Sequence, residues 1–318
     1  MDLAVRTSTA NSDPFKDDLT CDLLPYDLIT QLVRILSVTG DANNPNFRDP
    51  TETHISGLEA FTLDYEVKWP LSLILSKKAL TKYQMLFRHL FYAKHVERLL
   101  CHLWASNKQS KKHMLHKRPW HSIAFALRQR MIHLVQNLEY YMMFEVIEPN
   151  WHLLEDNLRS VTNIDGVLEH HNDFLDRCLK DCMLTSLELL RIVSKLMAVC
   201  VTFCNCMVRY NHSAQVQDDA NASSANGSTG GSAPKIAIHH YDRMMATENI
   251  EKTIGNFDTN FSRLLIELLD KLSVLSGTEK EQDMMNLVFR LDHNSFYSEY
   301  QRKLITEQME GGANETSK

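Results

Sequence analysis

Apolar positions recur along much of this chain in alternating steps of four and three, the spacing that gathers side chains on one face of an α-helix. The pattern is cleanest in PWHSIAFALRQRMIHLVQNLEYYMMFEVIEP, residues 119–149, where Trp120, Ala124, Leu127, Met131, Leu134, Leu138 and Tyr141 make one stripe. Pro119 suits the first turn of a helix, and Pro149 is expected to end it because proline has no amide hydrogen to donate. At 1.5 Å per residue such a helix is roughly 45 Å long, the spine of an elongated bundle. Carried onward, the rhythm lands on Glu145 and Glu148. The apolar seam therefore turns acidic in its last turn, where the helix dipole also disfavours negative charge. Two explanations stand open: the carboxylates pair with an arginine of the bundle, or the seam opens there onto a partner.

The other elements follow from the same spacing. PYDLITQLVRIL, opened by Pro25, predicts a short helix with Leu28, Leu32 and Ile35 or Leu36 on its apolar edge. At Phe61, Leu63, Tyr65 and Val67 the period changes to two, which predicts one short extended segment near 61–67, ended by Trp69-Pro70. It is the only strand expected. A second long helix covers about 77–106, with Leu80, Tyr83, Phe87 and Leu90 and then Val96, Leu100 and Leu103 inward. Arg88, His95, Arg98 and His102 share its polar edge. After a basic connector, NKQSKKHMLHKRP, and the spine, start signals recur: Asn150 as a cap, then Thr162 with Asp165 and Thr185 with Glu188 as capping boxes. The last of these opens a helix striped by Leu190, Val193, Met197, Cys200, Cys204 and Met207. From Asn211 to about 235 the composition falls to Ser, Ala, Asn, Gly and Asp, which predicts a flexible insertion. Ile250, Ile254, Phe257, Phe261, Leu264 and Leu268 then mark a returning helix at about 241–275, and Thr278 with Glu281 opens a last one.

Composition supports the same class. Only 10 Gly and 8 Pro stand beside 14 Met in 318 residues, which favours helices over a sandwich of short strands. The expectation is an all-α protein: residues 1–22 mostly disordered, 23–307 one helical domain with a disordered insertion at about 211–235, and 308–318 a disordered tail. The net charge of -6 gives no general attraction to nucleic acid. The basic connector also lacks the interleaved aromatics that stack bases. An odd count of 7 Cys without a secretory signal points to a reducing, intracellular compartment. The longest apolar run, near Leu196 to Val208, is too short to cross a bilayer.

Catalytic patterns are missing from the sequence. It contains no phosphate-cradling glycine loop, nucleophile elbow or HExxH. His95-Val96-Glu97 has no accompanying Pro-Cys-x-x-Cys. Cys178 with Cys182, and Cys200 with Cys204 and Cys206, sit on apolar stripes and read as small hydrophobes, with His171 as a core histidine. The reading is a chain with no catalytic residue, metal or cofactor. An unrelated helical adaptor or solenoid is the alternative, although no repeat of fixed period is present.

Several words of this sequence resemble a known family. SGLEAFTLDYEVKWPLSLIL, ALTKYQMLFRHLFYAKHVERLLCHLW, RQRMIHLVQNLEYYMMFEVIEPNW and HHNDFLDRCLKDCMLT are similar, in order and separation, to the C-terminal half of the γ-tubulin complex proteins. That resemblance covers about residues 14–305. It implies a helical domain that grips γ-tubulin and performs no catalysis. It also implies a role in microtubule nucleation in the cytoplasm and cytoskeleton, at the centrosome or spindle pole. Other γ-tubulin complex proteins, component 3 above all, are the implied lateral partners. Because only the C-terminal words are found, a short isoform, a paralogue or an excised piece is expected, with lateral contacts weakened. Within the matching words, Arg88, Arg98, Arg128, Tyr140, Glu145, Glu148 and His170 are the implied γ-tubulin contacts. Helical phase places Leu127, Met131, Leu134 and Leu138 in the core and ranks Arg88, Arg98, Glu145 and Glu148 as surface.

Overall fold

A computed structural model describes residues 18–38, 55–110, 119–225, 234–276 and 283–303. The first 17 residues, 39–54, residues 111–118 of the basic connector, 226–233, 277–282 with the Thr278 and Glu281 box, and the tail from 304 lie outside the described residues. The elements run β1 (Leu19–Leu23), α1 (Leu28–Val38), α2 (Gly57–Ala60), β2 (Phe61–Tyr65), α3 (Lys77–Ser110) and α4 (Pro119–Tyr140). A π-helical segment, Tyr141–Ile147, follows, and then α5 (Glu148–Ser160), α6 (Ile164–Asp181), α7 (Leu187–Ala225), α8 (Pro234–Ser276) and α9 (Asp283–Leu291). The class is all-α, with one two-stranded sheet among the described residues. The chain folds as two units, Met1–Lys94 with Leu138–Arg191, and His95–Asn137 with Ile192–Lys318.

In the first unit, β2 forms where period two was read. Its antiparallel partner β1, with Leu19 opposite Tyr65 and Leu23 opposite Phe61, comes from the segment expected to be disordered. LTCDL is too short and mixed to announce itself, and it becomes a strand only because β2 offers it a ladder. Ser56 and Glu59 form a reciprocal capping box that fixes α2 just ahead of β2. Phe61 then packs on Phe87 and Phe91 of α3, with ring centroids 5.8 and 5.1 Å apart. This packing corrects the polar edge of α3. Arg88 is buried, not surface-exposed, and donates to the Glu59 carbonyl (3.2 and 2.7 Å), the Tyr26 carbonyl (2.6 Å) and Gln31 Oε1 (2.7 Å). The guanidinium satisfies carbonyls at the ends of two short elements, which is why α1 and α2 fold over it.

In the second unit, Trp120, Ala124, Leu127, Met131 and Leu134 are all buried, as their spacing predicts. So is the α7 stripe from Val193 to Met207, and so are Ile250, Ile254, Phe261, Leu264 and Leu268 on α8; Phe257 is half-buried. Arg130 of α4 ties the unit together. It donates to Asp258 and to Ser262 Oγ (2.7 Å) on α8 and to Tyr297 Oη (3.0 Å), and it lies over the Phe296 and Tyr297 rings. Arg128 is buried as well, donating to the Leu100 carbonyl at 2.7 Å with its guanidinium over the Trp104 ring. This residue, an implied contact, is interior in the structure.

Helix ends differ from expectation in consistent ways. α1 begins at Leu28, not at Pro25, with Asp27 accepting from the Thr30 amide, and Ser186, not Thr185, caps α7 by accepting from the Leu189 amide. No side chain among the described residues caps α6. The second helix runs on to Ser110. α7 continues to Ala225 and α8 begins at Pro234, so most of the stretch read as an insertion is helical. Extending a helix that tertiary packing has already nucleated costs little per residue, and 211–225 holds alanine and glutamine, which tolerate it.

Candidate functional site: a protein-docking face

The spine does not end at Pro149. Pro149 stands in the first turn of α5, within an unbroken helical run. The preceding Tyr141–Ile147 segment widens to π-helix, and the amide of Glu148 donates to the carbonyl of Met143, five residues back. Proline has no amide to give, and its ring would clash with the carbonyl four residues earlier, so a widened turn lets the helix pass through it.

The extra residue also resolves the acidic seam. After Tyr141 the inward positions become Met142 and Val146, both buried, in place of Glu145. Glu145 is left half-buried, with its Oε2 inside, and Glu148 is exposed. Aromatic side chains around the π-turn stand outward. Tyr140 is 47% exposed, Phe144 51% and Trp151 50%, and Met143 is exposed beside them. The Tyr140 and Phe144 rings pack with centroids 5.1 Å apart, so they present a single surface. π-turns of this kind recur at functional sites. Exposed aromatics clustered on a rigid element are the usual anchors of protein interfaces.

α6 packs on α5 and completes the face. Trp151 meets Phe174 edge to face at 5.9 Å. Between the two helices lies an open cavity of about 380 Å³, lined by Asn150, Leu153, Leu154, Asn157, His170, Asp173, Phe174 and Arg177. Beneath, His171 is buried and meets Tyr83 Oη at 2.9 Å. Burial, with Lys82 second, holds the His171 imidazole below its ordinary pKa, and burial pushes the Tyr83 hydroxyl up to about 12. Lys82 itself bonds Asp176 at 2.5 Å. α6 is therefore held firmly from behind.

Charge sets this region apart. From Glu145 to Asp181 the sequence has nine carboxylates against three basic side chains, an excess equal to the -6 of the entire chain. The remaining residues balance to zero.

Of the residues singled out from sequence, Tyr140, Glu145, Glu148 and His170 come together on this stretch of the first unit. Arg88 and Arg128 are interior, and Arg98 is exposed on the part of α3 that belongs to the second unit. Phe144, Met143, Leu153 and Asp173 went unranked. Phe144 does fall off the four-three stripe, and that was the available signal. No group of three or more His, Cys, Asp or Glu among the described residues is placed to hold a metal. No helix among the described residues is long and apolar enough to cross a membrane. Burial pushes the thiols of Cys178 and Cys204 up to about 12, so they are poor nucleophiles and poor ligands.

Comparison with known proteins gives these features a family. The family model described as gamma tubulin complex component C-terminal matches residues 1–297. Gamma-tubulin complex component 2 of Mus musculus is 51% identical over 98% of this chain, and its Drosophila melanogaster homolog is 40% identical over 96%. Spindle pole body component alp4 of Schizosaccharomyces pombe is 29% identical over 92%. The chain spans 36% of the length of the first two relatives and 40% of the third. With its family model matched over nearly all of its length, the chain belongs to the γ-tubulin complex component C-terminal family.

Proposed function

We propose that this chain is a non-catalytic scaffold that binds γ-tubulin and so supports microtubule nucleation. The observation that carries the reading is the set of exposed aromatics flanking and on the π-turn, Tyr140, Phe144 and Trp151, in a chain 51% identical to a gamma-tubulin complex component 2. A protein partner needs an interface of about 1,600 Å², and the π-turn with α5 and α6 offers a continuous helical face for it. Other γ-tubulin complex proteins, component 3 among them, are the lateral partners on this reading. Relatives named for the γ-tubulin complex and the spindle pole body support a place in the cytoskeleton at the centrosome or spindle pole.

Purified chain is mixed with purified γ-tubulin and the mixture is fractionated by size. The reading predicts co-elution, weakened by Glu148→Lys at an unchanged melting temperature. Separate elution of the wild-type chain would overturn it. Glu148 is the cleaner probe than Glu145, whose Oε2 is buried and whose replacement would also disturb the fold.

A further inference from the structure

We infer that the groove between α5 and α6 seats a cationic amphipathic segment of the docked protein. One apolar side chain of that segment enters the cavity over Leu153, Leu154 and Phe174, and its lysines or arginines face Asp173 and Glu169. The inference rests on the reading of this face as a protein-docking surface and names what the partner presents to it.

The cavity sets the first requirement. At about 380 Å³ it stands at the small end of the range for binding pockets, room for one or two side chains. Leu154 and Phe174 form a buried apolar floor, and Leu153 stays 44% exposed at the lip. Covering that leucine with an aliphatic or aromatic anchor removes apolar surface from water, the main favourable contribution to docking.

Charge sets the second. Asp173 lines the groove, and Glu169, one turn earlier on α6, is exposed. Arg177 opposes them from the same helix, and on α5 the exposed carboxylates Glu155 and Asp156 already pair with Arg159. The surrounding segment still carries the net acidity of the chain. An acidic peptide or a phosphate backbone would meet like charge here. A second copy of this chain would present the same acidic face in an isologous pairing, which repels for the same reason. A helix with lysine or arginine along one side and an apolar anchor fits both requirements, and electrostatic attraction would speed its arrival.

The test has two arms on the full chain. Purified γ-tubulin is titrated against wild-type chain, the Glu169→Lys/Asp173→Lys double variant, Leu153→Arg, and a control reversal, Glu251→Lys, at an exposed position of α8. Anisotropy of two labelled helical peptides, one leucine–lysine and one leucine–glutamate, is followed on the same four proteins. The inference predicts a loss of about tenfold or more in γ-tubulin affinity for the double variant and for Leu153→Arg, shrinking at high salt for the former, with the control unchanged. It also predicts that the lysine peptide alone binds wild type and that both groove variants release it. γ-Tubulin bound equally by all four proteins would overturn this inference and leave the proposed function standing. Wild type that ignores γ-tubulin yet takes the lysine peptide in a groove-dependent way would do the reverse. Lysine-peptide binding that all four proteins share overturns the inference, and binding of neither probe overturns both readings.

Discussion

The run from Pro119 to Ser160 is helical throughout, yet its two halves obey different rules. Before Tyr140 the four-three stripe is strict, and its apolar members from Trp120 to Leu138 are all buried. From Tyr140 onward the π-turn breaks the rhythm, and Tyr140, Met143, Phe144 and Trp151 stand half in solvent. The first half specifies the fold. The second half gives up burial to expose aromatics, and a sequence that bears this cost without repair marks a surface kept for something else.

The largest effects should fall in the first half. Leu134→Ala removes a fully packed side chain and should cost about 2–5 kcal/mol in urea unfolding. A value under about 1 kcal/mol would erase the distinction between the halves. Next comes the buried arginine that sequence placed on the surface. Arg88→Ala strands two carbonyls and a glutamine oxygen and should cost about 3 kcal/mol, and Arg88→Lys should recover little of it because an ammonium lacks the fork.

A buried histidine on α3 gives a third, pH-dependent effect. Burial lowers the His89 pKa to about 4, and its Nε2 has no hydrogen-bond partner among the described residues. The folded state therefore favours neutral His89. The associated stability is fully present above the unfolded pKa near 6.5 and is lost as pH falls toward 4. Between pH 7 and pH 5 about 2 kcal/mol should disappear, and a His89→Phe variant that retains the fold should lose about that much less. Identical acid sensitivity in the variant would contradict the assignment. The smallest stability change belongs to the exposed half: Phe144→Ala should alter unfolding by under about 1 kcal/mol, because the ring is only half covered.

The fold was largely legible because most helices here bury one stripe, and Trp120 to Leu138, Leu190 to Met207 and Ile250 to Leu268 all announce that stripe by spacing. β1 was not legible, since it exists only as a partner for β2. Neither was the reach of α7 to Ala225, where a nucleated helix overrides weak local composition. The site was half legible. Glu145 and Glu148 betrayed a broken pattern, but reading Pro149 as a stop hid the π-turn that brings Val146 inward in place of Glu145. Arg88 misled because a polar spacing does not reveal that α1 and α2 will fold over it, and Arg128, implied as a contact by the resemblance alone, packs against the Leu100 carbonyl and Trp104. The words shared with the γ-tubulin complex proteins pointed to the family, and helical phase alone could not divide core from contact within them.

The comparison between halves predicts that binding and stability separate, and one titration addresses this most directly. Purified γ-tubulin is titrated against wild-type chain and the Phe144→Ala/Trp151→Ala variant, with light scattering to establish stoichiometry and unfolding midpoints measured in parallel. The account predicts an equimolar complex for wild type and an affinity about a hundredfold lower for the variant, with the midpoint nearly unmoved. Equal affinity for the two proteins would contradict it.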